Sequence, residues 1–123
     1  MAEKKRIDRM MKILMEKEMQ KLLYSTGVFR HYKGYDYFVR AVHLVHEKPE
    51  RLHYIYKEIY LVIADEVGKD VRAIERDVRT IRDVFFRNGG SELLSEMSGV
   101  NAWSKKRPSP GEMIEIFAMY LQK

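Results

Sequence analysis

Cysteine is absent from the 123 residues, and proline and glycine are scarce, at three and seven. Without cysteine the chain has no disulfide framework, no thiolate metal site and no cysteine nucleophile. No apolar run approaches the roughly 18 residues that a membrane-spanning helix needs. The basic N-terminus also lacks the apolar segment of a signal peptide. We therefore expect a cytoplasmic chain with no membrane partner.

The composition is that of a globular protein, with 46% hydrophobic and 33% charged residues. A chain of this length can bury one sizeable core without metal or disulfide support. Its 23 basic residues outnumber its 18 acidic ones, for a net charge of +5. A basic domain meets nucleic acid or an anionic surface more often than average. The charge indicates such a partner only if the basic residues share a face.

Apolar residues recur at spacings of three and four along the chain, which predicts helices rather than strands. We predict an all-α domain of six to seven helices, with a short extended pair near residues 100–106. Asp70 is the expected N-cap of one helix, and Ser91 that of another. The predicted helices cover about residues 3–25, 34–47, 49–67 with a bend, 71–87, 91–97 and 111–121.

The N-terminal helix is amphipathic, with a wide stripe that includes Ile7, Met11, Leu14 and Leu22. An apolar stripe of this width is expected to pack against another apolar surface. Two interpretations stay open: the helix pairs with its twin in a homodimer, or it docks on its own domain.

The helix that begins at Val71 carries arginines on one side. At about 100° per residue, Arg72, Arg76 and Arg79 share a face, and the apolar residues of this helix fall on the opposite face. The planar fork of arginine can hold two acceptors of a guanine edge or a phosphate. The arginine face is therefore a candidate for nucleic-acid recognition.

The segment before this helix strengthens the interpretation. A short amphipathic helix ending at Val67, a turn that contains Gly68, and a longer basic helix follow the order of a helix-turn-helix motif. An alternative reading remains. Arg72 with Glu75, Glu75 with Arg79, and Arg79 with Asp83 have the spacing of ion pairs on an exposed helix.

Two stretches are fairly specific in combination: Lys33-Gly34-Tyr35-Asp36-Tyr37, and Ile74-Glu75-Arg76 followed by Arg79. Together with Arg87-Asn88-Gly89 and Pro108-Ser109, their order resembles the C-terminal DNA-binding domain of the stage-zero sporulation response regulator A family. The resemblance covers about residue 19 to the end. It implies a helical domain with a central helix-turn-helix that binds double-stranded DNA as a transcription regulator, often with copies in tandem.

The resemblance also implies site residues. By position, the family's recognition-helix contacts fall on Glu75, Arg76 and Arg79. Ala73 and Thr80 stand where the family usually has arginine and histidine, at or near base-reading positions. The candidate base-reading residues are Arg72, Glu75, Arg76, Arg79 and Thr80, and the candidate DNA-backbone residues are Lys33, Lys69, Lys105 and Lys106.

We therefore divide the chain into an N-terminal helix, 1–25, as a candidate dimerisation element, and a DNA-binding domain, 26–123. The family's phosphoreceiver domain has no counterpart in this sequence. The alternative function is a protein-interaction module that acts through its helical surfaces. We predict no catalytic, metal or cofactor site. His43, His46 and Glu47 have a helical spacing that could offer metal ligands, but no strong fourth ligand is evident. No serine has a partner histidine and acid at the spacing of a catalytic site.

Overall fold

The computed structural model describes residues 2–103 and 106–121, and the regular elements in these ranges are all helical. The prediction of an all-α domain is therefore confirmed. The extended pair expected near residues 100–106 is wrong, since its described residues form turns and bends and Ser104 and Lys105 lie outside the described ranges. The α-helices are α1 (Ala2–Tyr24), α2 (Gly34–Glu47), α3 (Leu61–Val67), α4 (Val71–Phe85), α5 (Ser91–Ser98) and α6 (Pro110–Tyr120).

One connection and one helix cap differ from the prediction in detail. Residues expected to form one bending helix instead make 3-10 turns over Pro49–Tyr54 and a wider π-type turn over Tyr56–Tyr60 before α3. The helix end predicted at residues 88–90 is confirmed, because Asn88 (φ −111°) and Gly89 (φ +89°) leave the helical conformation between α4 and α5. Helix α5 begins at Ser91, whose side chain therefore lies inside the helix and does not cap it.

Three aromatic rings mark the centre of the core, where α2, α4 and α6 meet. Phe117 of α6 packs edge-on against Phe38 of α2 and against Phe85 of α4, with ring centroids 5.1 and 5.7 Å apart. All three side chains are fully buried, and edge-to-face pairs are favourable for rings of this kind. One side of α4 is thereby fixed to the core.

The N-terminus of α2 approaches the backbone of α4 at Gly34. A Cβ atom on this glycine would lie 2.1 Å from the carbonyl oxygen of Asp77, inside any permitted contact. Only glycine allows this approach. The Lys-Gly-Tyr stretch of the sequence therefore has a packing role, because it sets the distance between α2 and α4.

The domain covers the apolar stripe of α1 along only half of the helix. Its second half docks on the domain, where Met15, Met19 and Leu23 are buried. Its first half leaves large apolar side chains exposed, at 48–61% of their full area. These exposed side chains are Ile7, Met10, Met11, Ile13 and Leu14.

His43 of α2 joins α1 to the domain, because its Nε2 lies 3.1 Å from Oε1 of Glu16. Burial lowers the pKa of His43, more than the neighbouring Glu16 raises it, and Lys12 and Arg40 lower it further. The folded protein therefore keeps this imidazole neutral, whereas the unfolded chain takes up a proton as the pH falls through about 6.5.

Stability should consequently fall as the pH drops from about 7.5 to 5.5. We expect His43→Gln to reduce this pH dependence of the melting temperature, since glutamine does not titrate. His46→Gln, at a less buried position on the same helix, is the matched control and should leave the dependence unchanged. Equal pH dependence in His43→Gln and the wild type would contradict the assignment.

Candidate nucleic-acid interface

A short helix, a tight turn and a longer helix form the centre of the domain. Helix α3 ends at Gly68, which adopts a φ of +69°, and the amide of Lys69 donates to the carbonyl of Ala64 over 3.0 Å. Asp70 then caps α4, because its Oδ1 accepts from the amide of Arg72 at 2.8 Å. The predicted roles of Gly68 and Asp70 are confirmed, and this arrangement is a helix-turn-helix.

The two sides of α4 differ as the spacing predicted. Its core side is buried at four predicted positions, whereas the side chains of Arg72, Arg76 and Arg79 are 87%, 66% and 49% exposed. The structure thus brings the three arginines together on one solvent-facing surface, here called the arginine face. The four buried residues are Ile74, Val78, Ile81 and Phe85.

Each arginine of this face has a carboxylate neighbour. Arg72 pairs with Asp70 at 3.3 Å, and Arg76 pairs with Asp77 at 3.3 Å. The hydrogen bond from the Arg72 side chain holds the pKa of the Asp70 carboxyl below its usual value, so this helix cap stays charged. Exposed ion pairs are weak in water. A phosphate or a base edge can therefore replace them.

The predicted ladder of ion pairs is present only in part. Arg79 bonds to Glu75 at 3.0 Å, as its spacing allowed. Asp83 instead pairs with Arg82 at 2.8 Å and with Arg107 at 3.2 Å. Arg72 and Arg76 thus face solvent. At the C-terminal end of α4, Asp83 and Arg82 instead bond to the loop that precedes α6, at Arg107 and Pro108.

Glu75 and Thr80 are the other two predicted base-reading residues of α4. Glu75 is half-buried and holds Arg79. The pKa of the buried Tyr60 is raised to about 12, mainly by burial and in part by the negative charge of Glu75. The hydroxyl of Thr80 is exposed on α4 and donates to the carbonyl of Arg76 over 3.1 Å. Like the arginines, these two predicted base-reading residues have local partners in the free protein.

The lysines predicted to contact the DNA backbone lie at different edges of α4. Lys69 is exposed in the turn that leads into α4, and Lys33 is exposed next to the close contact of Gly34 with α4. Lys106 is exposed beside Arg107, which contacts the C-terminal end of α4 through Asp83. Lys105 lies outside the described residues.

The loop before α6 is less aromatic at its surface than the sequence suggested. Trp103 is buried, and its indole N–H donates to the hydroxyl of Ser98 over 3.4 Å. Arg107 lies over the ring of Phe86, and Arg82 donates to the carbonyl of Pro108 over 3.1 Å. These contacts fix the loop to the end of α4.

An ion pair between α2 and α3 was missed by the sequence analysis. The guanidinium of Arg40 donates to both oxygens of Glu66, at 2.9 and 2.7 Å. This bidentate bond raises the pKa of Arg40 and lowers that of Glu66. The pair holds the last turn of α3 against α2, and so helps to set the position of the first helix of the motif.

Other kinds of site find no support in the described residues. Over 2–103 and 106–121, no group of three histidine or acidic side chains is placed to hold a metal ion. Within the same ranges, no helix is both long enough and apolar enough to cross a membrane.

Most of the chain, including the arginine face, matches a known protein family. The model of the family described as sporulation initiation factor Spo0A C terminal matches residues 19–121. The chain belongs to this family. Members of the Spo0A C-terminal family are DNA-binding effector domains of a sporulation transcription regulator, and the family is not one of enzymes. The match begins at the buried Met19 and includes the whole of α2 to α6, so the projecting half of α1 lies before it.

Proposed function

We propose that this chain is a sequence-specific transcriptional regulator that places α4 in the major groove of double-stranded DNA. One observation carries the proposal. The second helix of the helix-turn-helix exposes three arginines on one side, while its opposite side is buried in the core. A major groove about 12 Å wide admits one α-helix, and the early turns of the second helix meet base edges in this motif.

The residues of α4 have different proposed roles. Arg72, Arg76 and Arg79 donate to guanine edges or phosphates in pairs of hydrogen bonds. Glu75 either accepts from a cytosine amino group or keeps Arg79 in position, and their 3.0 Å bond supports the second role. Thr80 contributes a methyl group and a hydroxyl to the same surface.

We assign the phosphate contacts to lysines at the edges of α4. Lys33, Lys69 and Lys106 are exposed there, and Lys105 is assigned from the sequence alone. Such contacts set the register of the protein on the duplex and carry no base information. The lysines should therefore affect affinity more than specificity.

We further propose that residues 1–123 bind their site without phosphorylation of a receiver domain, as a homodimer or as tandem copies on DNA. The cytoplasm, where duplex DNA is accessible in bacteria, is the proposed location. No cofactor is required by this mechanism.

Selection from a random duplex pool tests the proposal. One motif should be enriched, and affinity for it should fall steeply with salt, because the bound lysines and arginines release counterions from the phosphates. A scrambled duplex of the same composition is the control, and it should bind at least about a thousandfold more weakly. Equal binding to both duplexes would contradict base reading and favour a protein-interaction module instead.

A further inference from the structure

The projecting half of α1 has an apolar side that the domain leaves open. At about 100° per residue, Ile7, Met10, Met11 and Leu14 fall within an arc of about 100°. The residues that dock α1 on the domain, centred on Met19, point about 130° away from this arc. The open side is thus a second apolar stripe on the same helix.

This open stripe borders a groove of about 1040 Å³. Met11, Leu14 and Glu18 form one wall, and α2 and α6 form the other, with Glu47 and Leu121 among the lining residues. The groove is therefore lined by both apolar side chains and carboxylates.

The groove has a small excess of negative charge. Asp8, Glu18 and Glu47 line it together with the basic Lys12 and Arg40. Arg40 pairs with Glu66 at 2.7 Å and with Glu47 at 3.7 Å. The lining thus holds three carboxylates and two cations, and one of these cations is shared with Glu66 outside the groove.

The first half of α1 has the opposite charge. Over residues 3–12 it holds five basic and two acidic side chains. Lys4 and Arg6 fall on either side of the apolar stripe on the helical wheel. Each copy of the chain therefore carries both a basic apolar helix and a groove that complements it.

We propose that the occupant of this groove is α1 of a second copy of the chain. The two α1 helices cross antiparallel near Met11, and each first half lies in the groove of the other copy. The second copy's Lys4 and Arg6 then come close to Glu18 and Glu47. A parallel pairing would place the two basic halves together, which like-charge repulsion disfavours.

The size of the contact sets the expected strength. A helix face about 20 Å long and 10 Å wide is small beside the roughly 800 Å² that each partner gives to a standard interface. A two-fold arrangement doubles the contact, because each copy supplies a helix and a groove. We expect a dimer with a dissociation constant of about 1–100 μM. This proposal does not depend on DNA binding.

Sedimentation of the full chain over a range of concentrations tests the proposal. The wild type should pass from monomer to dimer, and Met11→Glu should raise the dissociation constant at least about tenfold. Met119→Glu is the matched control, since Met119 is exposed on α6 but does not line this groove, and it should dimerise like the wild type. Circular dichroism checks that both variants keep their helices.

A charge exchange distinguishes this geometry from other pairings. Lys4→Glu with Arg6→Glu, and separately Glu18→Lys with Glu47→Lys, should each weaken self-association. A mixture of the two variants should recover the dimer, because each helix then meets a groove of opposite charge. A wild type that stays monomeric at millimolar concentration, or a mixture that does not associate, would overturn the proposal. The same holds if Met11→Glu alters only binding to lipid vesicles or to DNA.

Discussion

Replacing Gly34 by alanine is expected to lower the free energy of unfolding by about 2–3 kcal/mol. The added Cβ would lie 2.1 Å from the carbonyl oxygen of Asp77, 2.6 Å from its carbonyl carbon and 2.8 Å from Cγ1 of Ile81. Two of these three atoms belong to the backbone of α4, which cannot turn aside as a side chain can. Either α2 or α4 must therefore move, and denaturant unfolding measures the cost.

Gly111→Ala is the matched control for this prediction. Gly111 is also buried in the first turn of a helix, and a Cβ there would come within 2.5 Å of Cδ1 of Ile55. That atom is the end of a flexible side chain and can rotate away, and alanine favours helix by about 1 kcal/mol over glycine. A loss of stability in Gly111→Ala as large as in Gly34→Ala would show that the backbone contact is not the cause.

Replacing Arg76 by alanine is expected to weaken binding to the selected duplex by about 1–3 kcal/mol, or roughly 5- to 150-fold. The Arg76 side chain is 66% exposed at the middle of the arginine face, and in the free protein it pairs with Asp77, whose side chain is 15% exposed. Removing it therefore leaves the fold intact but removes hydrogen bonds to one base. Binding to a scrambled duplex should change little.

Two controls separate base reading from general electrostatics. Lys69→Ala should weaken binding to the selected and scrambled duplexes alike, and should reduce the salt slope by about one unit. Arg9→Ala removes an exposed arginine from α1, outside the family match, and should leave the preference between duplexes unchanged. If Arg76→Ala lost affinity equally on both duplexes, Arg76 would be a phosphate contact instead.

Local patterns predicted the elements that depend on local interactions. The buried and exposed sides of α4 follow from spacing alone, and its cap follows from Asp70 placed before an apolar period. Gly68 was recognised as a break because a left-handed turn favours glycine. The arginine face therefore follows from the sequence alone.

Contacts between distant residues could not be predicted in this way. Arg40 and Glu66 are 26 positions apart, and nothing near either residue indicates the other. The spacing also predicts the apolar stripe on α1. It does not show that the domain covers only the second half of this stripe, because that depends on contacts with residues distant in the sequence.

The most direct test of the proposed function is a dimethyl sulfate footprint on the selected duplex. This reagent methylates guanine N7 in the major groove and adenine N3 in the minor groove. If α4 reads the major groove, the wild type should protect specific guanines at N7, and Arg76→Ala should lose protection at one of them while its neighbours stay protected. Protection confined to adenine N3, or none at guanine N7, would contradict the placement of α4 in the major groove.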